Sequence, residues 1–234
     1  MHRFFTPDIA ESNVLPEEES QHAVRVLRLV EGDYIEAVDG RGNCYKCRIV
    51  SAHPKKCVIE PEERVHVTSH WSGSITLGIA PTKNLDRMEW MAEKVTEMGV
   101  DKIIPLRCRY SERKELKTER LRKILVSAMK QSLKCTLPEL EEMTPVAEVL
   151  KKPFIGQKFI AYCDKEVNRK LFSLSYHKNE DVLILIGPEG DFSKEEVDLA
   201  IENGFIPVSF GESRLRTETA AMYAVAACHA LKQV

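Results

Sequence analysis

No stretch of the 234-residue chain approaches the roughly 20 consecutive apolar residues that a membrane-spanning helix needs. The opening "MHRFFTPDIAES" also lacks the long apolar core of a secretory signal, so a cytoplasmic protein is expected. The cysteines number seven, an odd count without framework spacing, which favours reduced thiols over disulfides. Cys44 and Cys47 form a lone C-x-x-C in "NCYKCRIV". A spacing of three on a strand sends the two thiols to opposite faces, and no second pair exists, so no metal is expected. The phosphate-binding patterns G-x-x-x-x-G-K-[ST] and G-x-G-x-x-G are absent, which removes nucleotide phosphates as the obvious ligand. A net charge of −2 gives no overall footprint for nucleic acid. The exception is local: from Arg107 to Lys134 ten Lys/Arg stand against three Glu, either a phosphate track or a solvated helix face.

What is present is organised in two styles. Residues 1 to about 70 read as a small β-rich domain: a hairpin "YIEAVDGRGNCYKCRIV" turning at Asp39-Gly40, a short strand "KCVIEP", and one helix in "LPEEESQHAVRVLRL" with Pro16 near its first turn. On that helix Arg25 and Arg28 lie one turn apart. The junction falls in "VTSHWSGS", and a second domain over 74–234 alternates strands with helices, which predicts an α/β fold with a parallel sheet. Asp86 and Glu89 have capping-box spacing before a helix whose Met88, Met91, Val95 and Met98 form one stripe, stopped by Gly99. Leu121 to Ser132 predicts a long helix running down to Pro138. The tail "TETAAMYAVAACHALK" is apolar nearly all round, so it needs cover from more than the sheet, and a homodimer through Thr219–Leu231 is expected.

Two glycine-bearing elbows follow strands in this domain. In "DVLILIGPEGDFSKEEVDLAIENG" the apolar run Val182–Ile186 predicts a strand covered on both faces, Ser193 and Glu196 form a capping box, and Gly204 follows the helix. Between them lies Gly-Pro-Glu-Gly, either a tight turn with one glycine at positive φ or a place where a ligand meets backbone. In "VSFGESRLRTETAAM" a second strand ends at Gly211, and Thr217 is the expected N-cap of the terminal helix. Arg216 stands at the positive end of that helix, unfavourable unless something anionic sits there. Two elbows at carboxyl strand ends point to one crevice.

These motifs carry a resemblance. "IGPEGDFSKEE" and "SFGESRLRTETAA", with "HRFF", "HAVRVLRLVEGD", "PTKNLDRMEWMAEKVTEMGVDKIIPL" and "AMKQSLK", resemble the SPOUT superfamily of knotted methyltransferases. More narrowly they resemble the enzymes that methylate N3 of a uridine in 16S ribosomal RNA. The resemblance implies a PUA-like RNA-binding domain over residues 1–70 and a methyltransferase domain over 74–234 with a trefoil knot. Three loops would hold S-adenosyl-L-methionine: Tyr162 from the first; Leu185, Ile186, Gly187, Pro188, Glu189 and Gly190 from the second; Phe210, Gly211, Leu215, Thr217, Thr219 and Ala220 from the third. Arg216 and Glu218 would serve the transfer, and a bulky residue at Gly190 is expected to block the cofactor. The RNA would lie on Arg3, Arg25, Arg28, Arg109, Arg113 and Lys130. The partners implied are 16S rRNA in the small ribosomal subunit and a second copy of the chain, with no membrane and no metal. The chain departs from the family pattern at Asp191, where a glycine is common, at Ser213-Arg214, where arginine and isoleucine are common, and at Lys134. Asp191 is expected to affect loop shape only; which of Arg214 and Arg216 faces the substrate stays open. Alternatives are an RNA-binding assembly protein with an idle knot, and a ribose 2′-O methyltransferase.

Overall fold

The computed structural model describes residues 1–67, 71–164 and 167–233. It divides into two compact units, Met1–Ser69 with Val126–Leu137, and His70–Leu125 with Pro138–Val234. The segment 126–137, read from the sequence as part of the second domain, therefore packs with the first unit. Residues 68–70, the middle of the "VTSHWSGS" junction, lie outside the described residues.

In the first unit β1 (Arg3–Phe5), β2 (Tyr34–Val38), β3 (Asn43–Ser51) and β4 (Val58–His66) form one sheet in that order, with β1 parallel to β2 and the rest antiparallel. β3 alternates cleanly: Asn43, Tyr45, Cys47 and Ile49 are buried while the residues between them are less so. Cys47 packs among Phe4, Ile35 and Ile49, whereas Cys44 packs beside Val38, Met129 and Cys135, so the two thiols do point to different sides of the strand. The β2–β3 turn is longer than two residues. Its Asp39 carboxylate accepts from the N–H groups of Arg41 (2.8 Å) and Asn43 (3.1 Å) and from the Asn43 amide (2.6 Å), while Gly40 and Gly42 take positive φ. The expected short helix is α1 (Glu17–Gln21), which runs on into a π-turn, His22–Val26. Arg28 lies beyond it at φ 57, so Arg25 and Arg28 do not share a helix face.

The second unit is a parallel sheet. Its strands are β5 (Ile75–Ile79), β6 (Lys102–Arg107), β7 (Glu139–Leu140), β8 (Thr144–Pro145), β9 (Gln157–Ala161), β10 (Lys170–Leu171), β11 (Val182–Ile186) and β12 (Ile206–Ser209). Their order is β10-β12-β9-β11-β5-β6-β7, with β8 also beside β6. β11 is buried at all five positions, as its unbroken apolar run requires. Leu183 and Leu185 pack with Val146, Val149 and Leu150 of α4 (Val146–Lys151) and with Val197 and Ala200 of α6 (Lys194–Glu202). α7 (Thr217–Lys232) packs against α2 (Leu85–Met98) and lies on β5 and β11. A short helix, α5 (Phe172–Ser175), follows β10.

Helix ends refine the sequence reading. α6 has its full capping box, with Ser193 Oγ accepting from Glu196 N–H and Glu196 returning the bond to Ser193 N–H. α2 starts differently. Asn84, not Asp86, is its N-cap and accepts from Asp86 N–H at 2.9 Å; Asp86 and Glu89 are already helical. Gly99 ends it at φ 105 as expected. α3 (Thr118–Gln131) stops well short of Pro138, since Leu133 takes φ 58. Thr217 is not a cap either: Arg216 is the N-cap of α7 and Thr217 is its first, buried residue. Only one side of α7 is covered within the chain, through Ala221, Ala224, Val225 and Cys228, and Thr219, Tyr223, Ala226 and Ala230 face outward.

Candidate active site

Because the strands are parallel, their carboxyl ends share one edge, and the loops after β5, β6, β9, β11 and β12 gather there. The elbow after β11 is the hub. Asp191 N–H closes its turn on Pro188 O at 2.9 Å. Glu189 Oε1 accepts from Lys83 N–H, in the loop after β5, at 2.9 Å. Arg109 N–H, in the loop after β6, donates to Glu196 Oε1 at 2.8 Å, so the capping glutamate of α6 also anchors a neighbouring loop. Arg113 Nη2 straps the same region by donating to Lys83 O at 2.9 Å. After β9, Tyr162 O accepts from Arg169 Nη1 at 2.8 Å, and Cys163 N–H donates to Asp191 Oδ2 at 2.9 Å.

The three glycines of the elbows have different reasons to be glycine. A side chain on Gly190 would place its Cβ 3.1 Å from Tyr110 Cβ, and one on Gly187 would sit 3.1 Å from the Phe192 ring. Neither takes a positive φ; the residue of that elbow which does is Asp191, at 65°. Gly190 thus permits a close approach to Tyr110, a packing reason for glycine besides the expected one of admitting a ligand. Gly211 is the reverse case. Its φ of 114° favours glycine, and nothing lies within 4 Å of the place a Cβ would take.

At the start of α7 lies a groove of about 550 Å³ lined by Asp86, Arg87, Trp90, Arg216, Glu218 and Thr219. Arg216 is exposed and has no ion-pair partner among the described residues. Glu218 is only 6% exposed, and its carboxylate lies 3.7 Å from Arg87 Nη1. The carboxylate of Glu218 thus faces Arg87. Arg87 was absent from the sequence reading, although a signal existed: a cation in the first turn of a helix is as unfavourable at Arg87 as at Arg216. Trp90, 46% exposed, lines this groove rather than the core.

The remaining expected cofactor residues sort by environment. Leu185 and Tyr162 are buried side chains of the core under α4 and α6, leaving only their backbone for a ligand. Ile186, Gly187 and Pro188 are buried, while Glu189, Gly190, Gly211 and Thr219 are exposed, and Leu215 and Ala220 are half-buried. Gly187 N–H has no hydrogen-bond partner among the described residues. Phe210 lies 5.5 Å from Phe172 and 5.3 Å from Tyr223, ring to ring, giving the third loop an apolar wall. An open backbone at Gly211, a buried Gly187 N–H without a partner among the described residues and apolar flanks suit a ligand that combines a flat apolar ring with hydrogen-bond acceptors.

The cations expected to meet RNA divide sharply. Arg3 is 10% exposed at its side chain and holds Glu36 Oε2 from Nη2 at 2.7 Å, with Nη1 donating to Lys134 O. Lys130 donates to Glu19 Oε1 at 2.6 Å. Arg113 is the strap just described. These three already hold protein groups, which leaves them less free to meet RNA than Arg25 and Arg28. Arg109 is exposed but pairs with Glu195 at 3.1 Å. Arg25 and Arg28 are exposed without a partner among the described residues. Among those residues no cluster of His, Cys, Asp and Glu suits a metal, and no helix is long and apolar enough to cross a membrane.

A family model described as an RNA methyltransferase domain matches residues 69–229, and an RNA methyltransferase PUA domain matches 15–62. The chain belongs to this RNA methyltransferase family. Among its relatives, ribosomal RNA small subunit methyltransferase E of Rickettsia conorii is 30% identical over 86% of this chain and 82% of its own length. The structure superposes on a probable rRNA-methyltransferase from Porphyromonas gingivalis with a TM-score of 0.94 and 44% identity, covering 100% of this chain and 99% of that one. It also matches ribosomal RNA small subunit methyltransferase E from Neisseria gonorrhoeae bound to S-adenosyl methionine, at a TM-score of 0.84 and 28% identity, covering 99% and 98%. The mixed α/β methyltransferase unit with its parallel sheet and the N-terminal PUA-like unit are the architecture that the resemblance implied.

Proposed function

We propose that the protein is an S-adenosylmethionine-dependent methyltransferase of N3 of a uridine in 16S ribosomal RNA. The observation that carries this is the pairing, at one carboxyl edge, of an open glycine backbone at Gly211 with an uncommitted guanidinium at Arg216. The small-subunit RNA assignment follows the relatives' names. Gly187, Gly211 and Leu215 would hold the cofactor through backbone groups, with Ile186 and Phe210 as apolar walls. When bound it supplies an electrophilic methyl on a sulfonium.

The chain's own residues then do the rest. N3 of uridine is protonated at neutral pH, and its proton must leave before nitrogen can act as a nucleophile. Departure puts negative charge on the flanking carbonyl oxygens, which the Arg216 guanidinium stabilises. Glu218 lines the same groove and either accepts the proton or holds Arg87, which in turn shapes the groove wall. Positioning by the loops supplies much of the remaining acceleration, because the displacement must be in line. In the PUA-like unit the exposed Arg25 and Arg28 bind phosphates. The chain is threaded as a trefoil knot in this reading, as the family resemblance implies, and it works in the cytoplasm as a dimer through the outward face of α7.

The test is an assay with labelled cofactor on small subunits and on naked 16S RNA lacking the modification, followed by mass spectrometry of the nucleosides. 3-Methyluridine is expected. A 2′-O-methylated product, or no transfer despite cofactor binding, refutes the reading.

A further inference from the structure

The carboxylate of Asp191 joins two loops that the sequence keeps far apart. Asp191 sits at φ 65, a conformation in which glycine is free of strain and aspartate is tolerated at some cost. A residue needed only for that turn has glycine as its cheapest solution. Aspartate adds two bonds that glycine cannot make: Oδ1 accepts from Phe192 N–H at 2.8 Å, and Oδ2 accepts from Cys163 N–H at 2.9 Å. The first stiffens the elbow after β11. The second crosses to the loop after β9, whose last strand residue, Ala161, stands opposite Ile186 in the sheet.

We propose that Asp191 is a positioning residue that latches the loop after β9 onto the elbow after β11, fixing the Tyr162–Cys163 backbone for cofactor binding. This deepens, and rests on, the reading of these loops as the S-adenosylmethionine site. The latch works from both ends, because Arg169 holds Tyr162 O while Asp191 holds the very next N–H. A loop already fixed in its binding shape loses less freedom when the ligand arrives, which appears as affinity. Burial raises the Cys163 thiol above its ordinary value, the Asp191 carboxylate adds to this, and the Arg214 and Arg169 charges oppose it. Arg216 lines the groove at the start of α7.

The test compares wild type, Asp191→Gly and Asp191→Asn, reading S-adenosylmethionine affinity by calorimetry and turnover at saturating cofactor. Asp191→Gly relieves the backbone and deletes the acceptor, so binding should weaken about tenfold, equivalent to about 1.4 kcal/mol, with saturated turnover nearly unchanged. Asp191→Asn keeps a side-chain oxygen and tolerance of positive φ, and should recover most of the affinity. Equal affinity in Asp191→Gly, or an equal loss in both variants, overturns the latch. Amide exchange at Cys163 in the wild type decides the matter independently of how the variants fold: protection supports the bond to Asp191, and exchange at the rate of an open loop overturns it. Wild-type protein that binds no S-adenosylmethionine would instead fail the reading of the site as a whole.

Discussion

Replacing Gly211 and Gly190 separately by alanine distinguishes a glycine kept for a ligand from one kept for packing. At Gly211 the backbone is at φ 114° and the added methyl would stand in open space. A non-glycine residue there costs about 1–3 kcal/mol of backbone strain, and the methyl occupies the volume through which the cofactor reaches the backbone. At Gly190 φ is ordinary and the new Cβ would meet Tyr110 Cβ at 3.1 Å. Tyr110 Cβ moves only with its backbone, so the loop after β6 must shift by a few tenths of an ångström, at a cost of about 1 kcal/mol. Calorimetric titration with S-adenosylmethionine, alongside thermal melts of the free proteins, measures both effects. Gly211→Ala should bind at least about tenfold more weakly, and Gly190→Ala within about threefold of wild type. The opposite ranking would refute the reasoning, because it would place the ligand against Gly190 and leave the space over Gly211 without a purpose.

Other predictions follow from the same geometry. Arg216→Ala should lower single-turnover methyl transfer by about two orders of magnitude, the scale of losing one stabilising donor, with cofactor affinity far less affected; near-normal rates would shift attention to Arg87. Arg25→Ala with Arg28→Ala should weaken RNA binding and reduce its salt slope by about one unit per lost phosphate contact, whereas Lys130→Ala should change stability rather than slope. Burial would raise the Asp39 carboxyl, but the Asn43 amide, the two backbone N–H groups and Arg41 outweigh it and hold the group below its ordinary value. Its contribution is therefore complete above the unfolded carboxylate range and lost as pH falls through the lower folded value. Asp39→Asn should flatten the acid limb of the stability profile, and an unchanged limb in urea titrations would contradict this. Light scattering at micromolar concentration should give a dimer for the wild type, and a charge placed on the outward face of α7, as in Ala226→Glu, should shift it to monomer.

Where one local rule decided an outcome, the chain disclosed its structure. Val182–Ile186 is apolar without interruption and is a central strand; Ser193 and Glu196 make the capping box their spacing promised; Gly99 closes α2 in the left-handed conformation. Competing local solutions defeated the reading elsewhere. Asn84 and Asp86 both suit an N-cap, and only the path of the chain out of β5 selects Asn84. The segment "HAVRVLRL" has helical periodicity, yet the backbone widens into a π-turn and Arg28 leaves the helix at φ 57, so the expected one-turn spacing of the two arginines is lost. For Arg3 and Lys130 the missing information was non-local. Their partners, Glu36 and Glu19, are 33 and 111 residues away, and no charge count reveals that a cation is already neutralised.

The same physics explains why Arg216 could be singled out while Arg87 was passed over. Both stand at the positive end of a helix, where a cation is tolerated only if an anion is near. For Arg87 the structure supplies the anion, the buried Glu218 on α7, and the two helix starts thereby neutralise each other across one groove. For Arg216 it supplies none among the described residues. An unfavourable charge with its compensation inside the fold is a packing device, and one without is a vacancy for something from outside. That difference cannot be read at either residue alone, since it depends on α2 and α7 lying side by side. In this protein it separates the arginine that builds the groove from the arginine that faces into it.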